Sequence, residues 1–348
     1  MDAIKFSRRE ALASAAALGL VGLAGTARAA DTFQPAGSLL DAARKEGRVV
    51  LYTSQFTESV QVLINAFTGR FPFMRVDLVR ASGGQLFSRV QAEAAAGKLV
   101  ADVVDHSDRA LMKRIESLFM DYAPPNARDY LDGVRVSPNL WPTVVSGWVI
   151  AHHTELMKTP PKTWWDLCKP QYGDGQIGQV IGPSGGTTWH RIMFERMVLG
   201  EDYWTRQSAL KPRLYPSGAP LSDALVRGEV SIAPLQASII APKKRDGAPV
   251  DWAFPPEGIP LTPFATGIPK TAKNPNAARL YLDWYLSADA QRLTATELGQ
   301  FSALRNPPVY PTGFDPKASK IWVPDFGREE ELHDRWVADW NRIYGYRQ

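Results

Sequence analysis

A run of small and hydroxylic residues near the middle of the chain is the first place where the sequence could do chemistry. Ser184-Gly-Gly-Thr-Thr188 follows a short apolar segment and precedes a helical pattern that begins near Thr187. The first N–H groups of a helix have no partner within the helix, and the helix dipole adds positive potential at that end. This arrangement predicts a binding site for an anion.

The same stretch, Gly182-Pro-Ser-Gly-Gly186, matches the G-x-S-x-G turn that carries the nucleophile in α/β-hydrolases. Such enzymes need a histidine late in the chain, and here His333 lies beside Glu331 and Asp334 in a charged helical pattern. The sequence also lacks a His-Gly-Gly-Gly stretch that would build an oxyanion hole. We therefore expect no enzyme, with a secreted serine hydrolase as an alternative.

The histidines and the one cysteine do not have the spacing of a metal site. The five histidines include no i, i+4 pair, and the adjacent His152 and His153 would point to opposite faces of a strand. Cys168 cannot form an internal disulfide, so we expect it to pack as a small apolar residue. The sequence therefore predicts neither a metal nor a cofactor.

The first part of the chain alternates strands and helices. Strand patterns cover residues 48–52, 75–79 and 101–105, and helical patterns lie between them. This alternation predicts a doubly wound α/β fold, in which ligands bind beyond the carboxyl ends of the strands. The residues expected at those ends are Thr53, Ser54, Ser82, Gly83, Gly84, His106 and Ser107.

A second α/β pattern follows residues 143–151, a run that is long and apolar enough to cross between two domains. Trp148 lies on this crossing strand and would either line the cleft or pack in the core. The strand-to-helix junctions of the second pattern repeat the chemistry of the first, and two facing domains would direct both sets toward one cleft. The second set of expected ligand-binding residues is Ser184, Gly185, Gly186, Thr187, Gln236 and Ser238.

The N-terminus has the pattern of an export signal. Basic residues precede an apolar run over 11–24, and Ala27-Arg-Ala29 supplies small residues for cleavage. Ser7-Arg-Arg-Glu-Ala-Leu12 resembles a twin-arginine signal without its usual Phe and Lys, so the general secretion route stays open. No later segment has about 18 consecutive apolar residues, which predicts a soluble protein outside the cytoplasm. The formal net charge of +4 points to no nucleic-acid partner.

Five stretches together resemble the periplasmic solute-binding proteins of ABC importers, in the branch of ferric-iron, phosphonate and sugar-phosphate binders. The resemblance covers nearly the whole chain after the export signal. Its stretches are Leu51-Tyr-Thr53, Pro161-Lys-Thr-Trp-Trp-Asp-Leu167, Gly200-Glu-Asp-Tyr-Trp204, Arg227-Gly-Glu-Val-Ser-Ile232 and Asn274-Pro-Asn-Ala-Ala-Arg-Leu-Tyr-Leu-Asp-Trp-Tyr-Leu-Ser287, followed by Gln291.

The resemblance implies the type II periplasmic binding fold, an α/β architecture of two doubly wound lobes joined by hinge strands that close on a shared ligand. We expect a signal peptide at 1–29, lobe 1 at 30–143 and 260–300, and lobe 2 at 144–259 and 301–348. It further implies a periplasmic monomer that delivers a small molecule to the transmembrane subunits of an ABC permease.

The ligand class is narrowed by a departure from the ferric-binding pattern. Ferric-binding members carry two adjacent tyrosines a few residues after the Gly-Glu-Val segment, and this chain has Ser238 and Ile239 there. A ferric-iron receptor therefore stays only as an alternative. Neutral donors at helix starts predict a small organic anion, a phosphate ester, phosphonate or carboxylate. We expect Gln236 and His106 to contact its non-anionic part.

Overall fold

Eleven strands and eleven α-helices are present in the part of the chain that the structure describes. The structure, a computed structural model, describes residues 33–131, 134–308, 310, 313–315, 318–324 and 326–347. The strands are β1 (Arg48–Thr53), β2 (Arg75–Arg80), β3 (Val103–His106), β4 (Val145–His153), β5 (Gly178–Val180), β6 (Arg213–Tyr215), β7 (Ile232–Gln236), β8 (Val250–Ala253), β9 (Ile259–Pro263), β10 (Ala265–Gly267) and β11 (Ile321–Trp322). The helices are α1 (Gly37–Glu46), α2 (Thr57–Arg70), α3 (Gly83–Ala95), α4 (Arg109–Arg114), α5 (Gly186–Phe194), α6 (Asp202–Ser208), α7 (Gly218–Val226), α8 (Ala237–Arg245), α9 (Pro275–Tyr285), α10 (Ala288–Leu298) and α11 (Phe326–Tyr344). The signal peptide predicted at 1–29 lies outside the described residues.

The first lobe is built on a four-stranded sheet of order β10-β3-β1-β2, with helices α1 to α4 and α9. β1 is parallel to both β2 and β3, as the alternating pattern predicts, whereas β10 is antiparallel to β3. Alternate residues of β1 point to opposite faces of the sheet. Val50 and Tyr52 pack with Leu86 and Val90 of α3 in one apolar cluster. This core fixes the strand ends that carry the expected site residues.

The second lobe has a mixed sheet of order β11-β9-β4-β7, to which β8 adds through β4, and it carries α5 to α8 and α11. β4 is antiparallel to β7, β8 and β9. β5 and β6 form a separate parallel pair. The second lobe is therefore less parallel than its sequence pattern suggests, because the nine-residue strand β4 enters from the first lobe and pairs with three strands that run against it.

Three chain segments meet where the lobes join. Trp141 forms an antiparallel bridge with Thr266, and Val145 forms another with Phe301. The hydroxyls of Thr143 and Thr266 lie 2.6 Å apart. β9 is still paired with β4, so the chain returns to the sheet of the first lobe only at β10. These are the crossing strands that the sequence predicts, and the two-lobed α/β fold is as expected.

The C-terminal helix α11 lies along both lobes. It packs against α5 and α6 of the second lobe and against α4 of the first. Leu332, Trp336 and Trp340 are buried, in agreement with their i, i+4, i+8 spacing. Among the described helices, none is both long enough and apolar enough to span a membrane.

Candidate ligand-binding cleft

A polar cavity of about 210 Å³ lies between the two lobes. The residues around it, called the cleft wall below, are Ser54, Gln55, Phe56, Ser59, Arg80, Ser82, Gly83, Ser107, Val144, Ser146, Ser184, Gly185, Thr187, Thr188, Pro216, Ser217, Gly218, Gln236, Ser238, Phe264 and Gln300. The sequence-based expectations that fall in the cleft wall are Ser54, Ser82, Gly83, Ser107, Ser184, Gly185, Thr187, Gln236 and Ser238. The structure thus brings residues from both predicted sets together around one cavity.

On the first lobe, the ends of β1 and β3 are tied to each other. The Ser54 hydroxyl accepts a hydrogen bond from the Ser107 amide at 3.0 Å, and the Ser54 amide donates to the Asp105 carbonyl at 3.1 Å. Parallel neighbouring strands end at the same edge of the sheet, which is why these two turns meet. The cleft wall of this lobe is therefore a set of mutually fixed turns.

Beneath these turns, Asp105 is buried and accepts hydrogen bonds from four uncharged side chains. The hydroxyls of Thr53 and Thr266 donate at 2.8 and 2.7 Å, Thr143 donates at 3.3 Å, and the Gln55 amide donates as well. Burial raises the pKa of Asp105, although these hydrogen bonds oppose the shift. Thr53, expected to contact ligand, is instead fully buried against Asp105, because the last residue of β1 points into the lobe.

His106 also lies behind the cleft wall and not in it. It is 1% exposed, its Nε2 lies 2.7 Å from the Gly83 carbonyl, and its Nδ1 accepts from the Asp108 amide at 2.8 Å. Since Nδ1 is an acceptor, the ring carries its proton on Nε2 and donates it to Gly83. His106 therefore positions the first residue of α3, and the expected contact with ligand is not available to it.

Arg80, the last residue of β2, is the one charged side chain of the cleft wall. Its Nε donates to the Gln55 carbonyl at 3.1 Å, and its guanidinium lies 5.9 Å from the centre of the Phe56 ring. The sequence pattern ends this strand at residue 79 and selects Ser82, Gly83 and Gly84 after it, so Arg80, the first residue beyond the predicted strand, is missed. An exposed arginine that ends a strand, two residues before Ser82, was the signal available.

On the second lobe, the cleft wall is formed by a turn and the start of α5. Residues Gly182–Ser184 make a single 3-10 turn, and Gly185 follows with φ 142° and ψ −177°. Only glycine adopts this backbone conformation readily. Thr187 is held from behind, since its carbonyl accepts from Trp148 Nε1 at 2.8 Å and its hydroxyl accepts from Gln236 Nε2 at 3.0 Å.

Three more expected ligand contacts lie outside the cleft wall. Trp148 is fully buried, so its alternative role as core packing is the one the structure shows. Gly186 is buried against the Ser107 backbone, and Gly84 faces a second cavity behind the cleft. Polar residues that the sequence analysis did not select, including Gln55, Ser59, Ser146 and Gln300, complete the wall. They come from helix starts and crossing segments, whose meeting point depends on the tertiary fold.

Two histidines of the second lobe, His190 and His333, lie against residues other than Ser184. His190 Nδ1 lies 2.9 Å from the Thr262 hydroxyl and its Nε2 lies 3.2 Å from Glu329, while the His333 ring packs on Trp189 with centroids 4.9 Å apart. Among the described residues, no group of three or more His, Cys, Asp or Glu side chains could hold a metal ion. The arrangement is one of oriented hydrogen-bond donors around a single guanidinium.

Comparison with known proteins agrees with this geometry. Residues 53–292 match the bacterial extracellular solute-binding proteins. The chain belongs to this family. Among the relatives of this solute-binding protein, a probable ABC transporter periplasmic-binding protein of Sinorhizobium fredii is 28% identical over 253 residues, which cover 66% of this chain and 67% of the relative. The resemblance to solute-binding proteins of ABC importers seen in the sequence is therefore confirmed.

Solved structures show the same fold. The periplasmic binding protein AfuA from Actinobacillus pleuropneumoniae, solved with exogenous fructose-6-phosphate bound, is 22% identical with a TM-score of 0.72, covering 87% of this chain and 100% of that one. Iron-bound HitA from Pseudomonas aeruginosa is 19% identical with a TM-score of 0.68, covering 86% of this chain and 99% of that one. The fold is the two-lobed α/β fold of periplasmic binding proteins, as expected.

Proposed function

We propose that this solute-binding protein is a periplasmic receptor that binds a small organic anion between its lobes and delivers it to an ABC permease. The ligand is a phosphate ester, a phosphonate or a carboxylate. The observation that carries the proposal is the charge of the cleft wall, which contains one arginine and, among these described residues, no aspartate or glutamate. A cationic ligand would meet no opposite charge there, whereas an anion would meet Arg80.

The other donors of the cleft wall suit the oxygens of such an anion. Ser54 and Ser107 contribute hydroxyls from the first lobe, and Ser184 and Thr187 contribute them from the second. The starts of α3 and α5 add backbone N–H groups with no partner inside their helices. Hydrogen bonds to an ionised acceptor are about twice as strong as neutral ones, so several of them around one oxyanion support tight binding.

The ligands named for two structural neighbours represent two alternative ligand classes, an oxyanion and a ferric ion. AfuA was solved with a sugar phosphate, and HitA with iron. Hard, charged oxygen ligands such as carboxylate and phenolate suit Fe³⁺. The cleft wall described above has neither a carboxylate nor a tyrosine. The donor set therefore favours the oxyanion over the ferric ion for this chain.

Thermal melts of the mature protein against a ligand panel test the proposal. The panel contains fructose 6-phosphate, inorganic phosphate, a phosphonate, a dicarboxylate, putrescine, and citrate with and without Fe³⁺. A ligand at 100 times its Kd adds about 2.7 kcal/mol, which raises the midpoint by a few degrees for a chain of this size. We expect such a shift with one oxyanion class and none with putrescine.

Two results would contradict the proposal. A shift with ferric citrate but not with citrate alone would point to an iron receptor. Labelling of Ser184 by a fluorophosphonate probe, lost in Ser184→Ala, would point to a hydrolase. A phosphate-class shift that salt weakens would support the anion receptor, because added salt screens the attraction between Arg80 and the ligand.

A further inference from the structure

Behind the cleft, the backbones of the two lobes touch at Gly186. This residue begins α5 of the second lobe, and a Cβ placed on it would lie 2.6 Å from the Ser107 carbonyl oxygen and 2.8 Å from the Asp108 Cα. Both atoms belong to the backbone of the first lobe, so neither can move aside as a side chain would. The lobes approach this closely only because residue 186 has no side chain.

A buried ion pair lies beside this contact and also joins the lobes. Arg109 of α4 and Glu329 of α11 are 2% and 1% exposed, and Arg109 Nη1 lies 3.8 Å from Glu329 Oε1. Nε2 of His190, on α5, lies 3.2 Å from Glu329 Oε2. Burial lowers the pKa of Arg109, and the charge of Glu329 opposes that shift.

We propose that Gly186 and the Arg109–Glu329 pair form a closure contact that sets the affinity of the cleft without touching the ligand. Ser54 and Ser107 on one lobe and Ser184 and Thr187 on the other can surround one small ligand only when the lobes are this close. Gly186 is thus a positioning residue. The inference deepens the proposed function and rests on it for the choice of ligand probes.

At Gly186, an effect on lobe closure can be distinguished from an effect on helix stability. Alanine has a higher helix propensity than glycine, and Gly186 does not have a positive φ. Gly186→Ala therefore should fold with an equal or higher melting midpoint, while its methyl group keeps the lobes apart. Gly37→Ala is the matched control, because Gly37 is also the first residue of a helix, α1, its Cβ would meet nothing within 4 Å, and it lies outside the cleft wall.

The experiment measures the distance between the lobes directly. Spin labels are placed at Gln61→Cys on α2 and Thr205→Cys on α6, both exposed, in a Cys168→Ser background. Electron–electron double resonance is recorded without ligand and with the panel member that gives the largest thermal shift, and Kd is measured by calorimetry. In the wild type we expect ligand to add a distinct second distance population, the closed one.

Gly186→Ala should move that closed population toward the open distance and weaken binding at least tenfold, while Gly37→Ala should behave as the wild type. Glu329→Gln should weaken binding about threefold, with the exposed Glu331→Gln as its control. A Gly186→Ala protein that reaches the wild-type closed distance with unchanged Kd overturns the inference. So does a wild type that shows a single distance under every condition. Closure with putrescine or iron would instead refute the proposed ligand class and leave the closure contact standing.

Discussion

The two lobes contribute to the cleft in different ways. The first lobe contributes the charged side chain of Arg80, which donates a hydrogen bond to the Gln55 carbonyl. The turns beside it are hydrogen-bonded to the buried side chains of Asp105 and His106. The second lobe brings no charged side chain to the cleft wall and relies on a glycine-dependent turn with Thr187 held from behind. Under the proposed function, the first lobe would supply the attraction to the charge of the ligand, and the second lobe would supply only uncharged donors.

The largest expected effect is that of removing the charge. Arg80→Gln should weaken binding of the preferred anion by about tenfold to a hundredfold, because a hydrogen bond to a charged group contributes about 1.5–3 kcal/mol. The dependence of Kd on salt should flatten in the same variant. Calorimetry at two salt concentrations measures both.

The control for this variant lies at the other end of the same strand. Arg75→Gln removes an exposed arginine of β2 that pairs with Asp77 and is not part of the cleft wall. It changes the net charge by the same amount, so an equal loss of affinity in both variants would mean that Arg80 acts only through the overall field.

A smaller effect is expected on the second lobe. Gly185→Ala forces a side chain into a backbone conformation that costs about 1–3 kcal/mol, and its Cβ would meet nothing within 4 Å. We expect a lower free energy of unfolding in urea. We also expect Kd to rise about tenfold, by a similar factor for every ligand that binds. If Gly185→Ala changed the ratio of the affinities for phosphate and carboxylate, the second lobe would also discriminate between ligands by charge.

The smallest effect is a pH dependence of opposite sign in the two lobes. Burial raises the pKa of Asp283, on α9, to about 7, against the hydrogen bonds from Tyr122 and the charge of Arg279. An unfolded aspartate titrates near 3.9. Between about pH 4 and pH 7 the folded protein therefore binds more protons than the unfolded chain, and this group lowers stability as the pH rises.

Asp166, in the second lobe, has the reverse behaviour. Burial would raise its pKa, but Lys169 and the amides of Lys162 and Thr163 outweigh burial and lower it to about 2. Its contribution is present above about pH 4 and is lost as the pH falls toward 2. Hydrogen exchange measured against pH gives the stability of each lobe separately. Asp283→Asn should remove the pH dependence of the first lobe, and Asp166→Asn should remove that of the second. Identical pH profiles of stability in both variants would contradict this assignment.

Much of the fold could be predicted because its signals are local. The apolar residues Val60, Leu63 and Phe67 repeat at helical spacing and are buried on one side of α2. Small polar residues that follow strands, such as Ser54 and Ser107, lie in the cleft wall because parallel strands end at one edge of a sheet. In these places the position of a residue in the structure follows from the local sequence pattern.

The remaining site residues depend on side-chain direction and on contacts between distant segments. Thr53 and Ser54 are neighbours in sequence, yet one bonds to the buried Asp105 and the other lies in the cleft wall. Gln300 and Phe264 reach the cleft from segments far along the chain from Ser54 and Ser107. The mixed pairing of β4 could not be read from its apolar run either, because partner and direction are set by the tertiary fold.

The way the first lobe is completed has a consequence for the order of folding during synthesis. β3 pairs with β10, and Asp102 accepts two hydrogen bonds from Asn274, so the sheet and its supports come from segments on either side of the second lobe. Glu46 at the end of α1 binds Asn276, which is 230 residues away in sequence. Contacts between such distant residues form slowly because a long loop must close first. The lobe that leaves the ribosome first therefore cannot complete its sheet until β10 and α9, which follow most of the second lobe in sequence, have been synthesised.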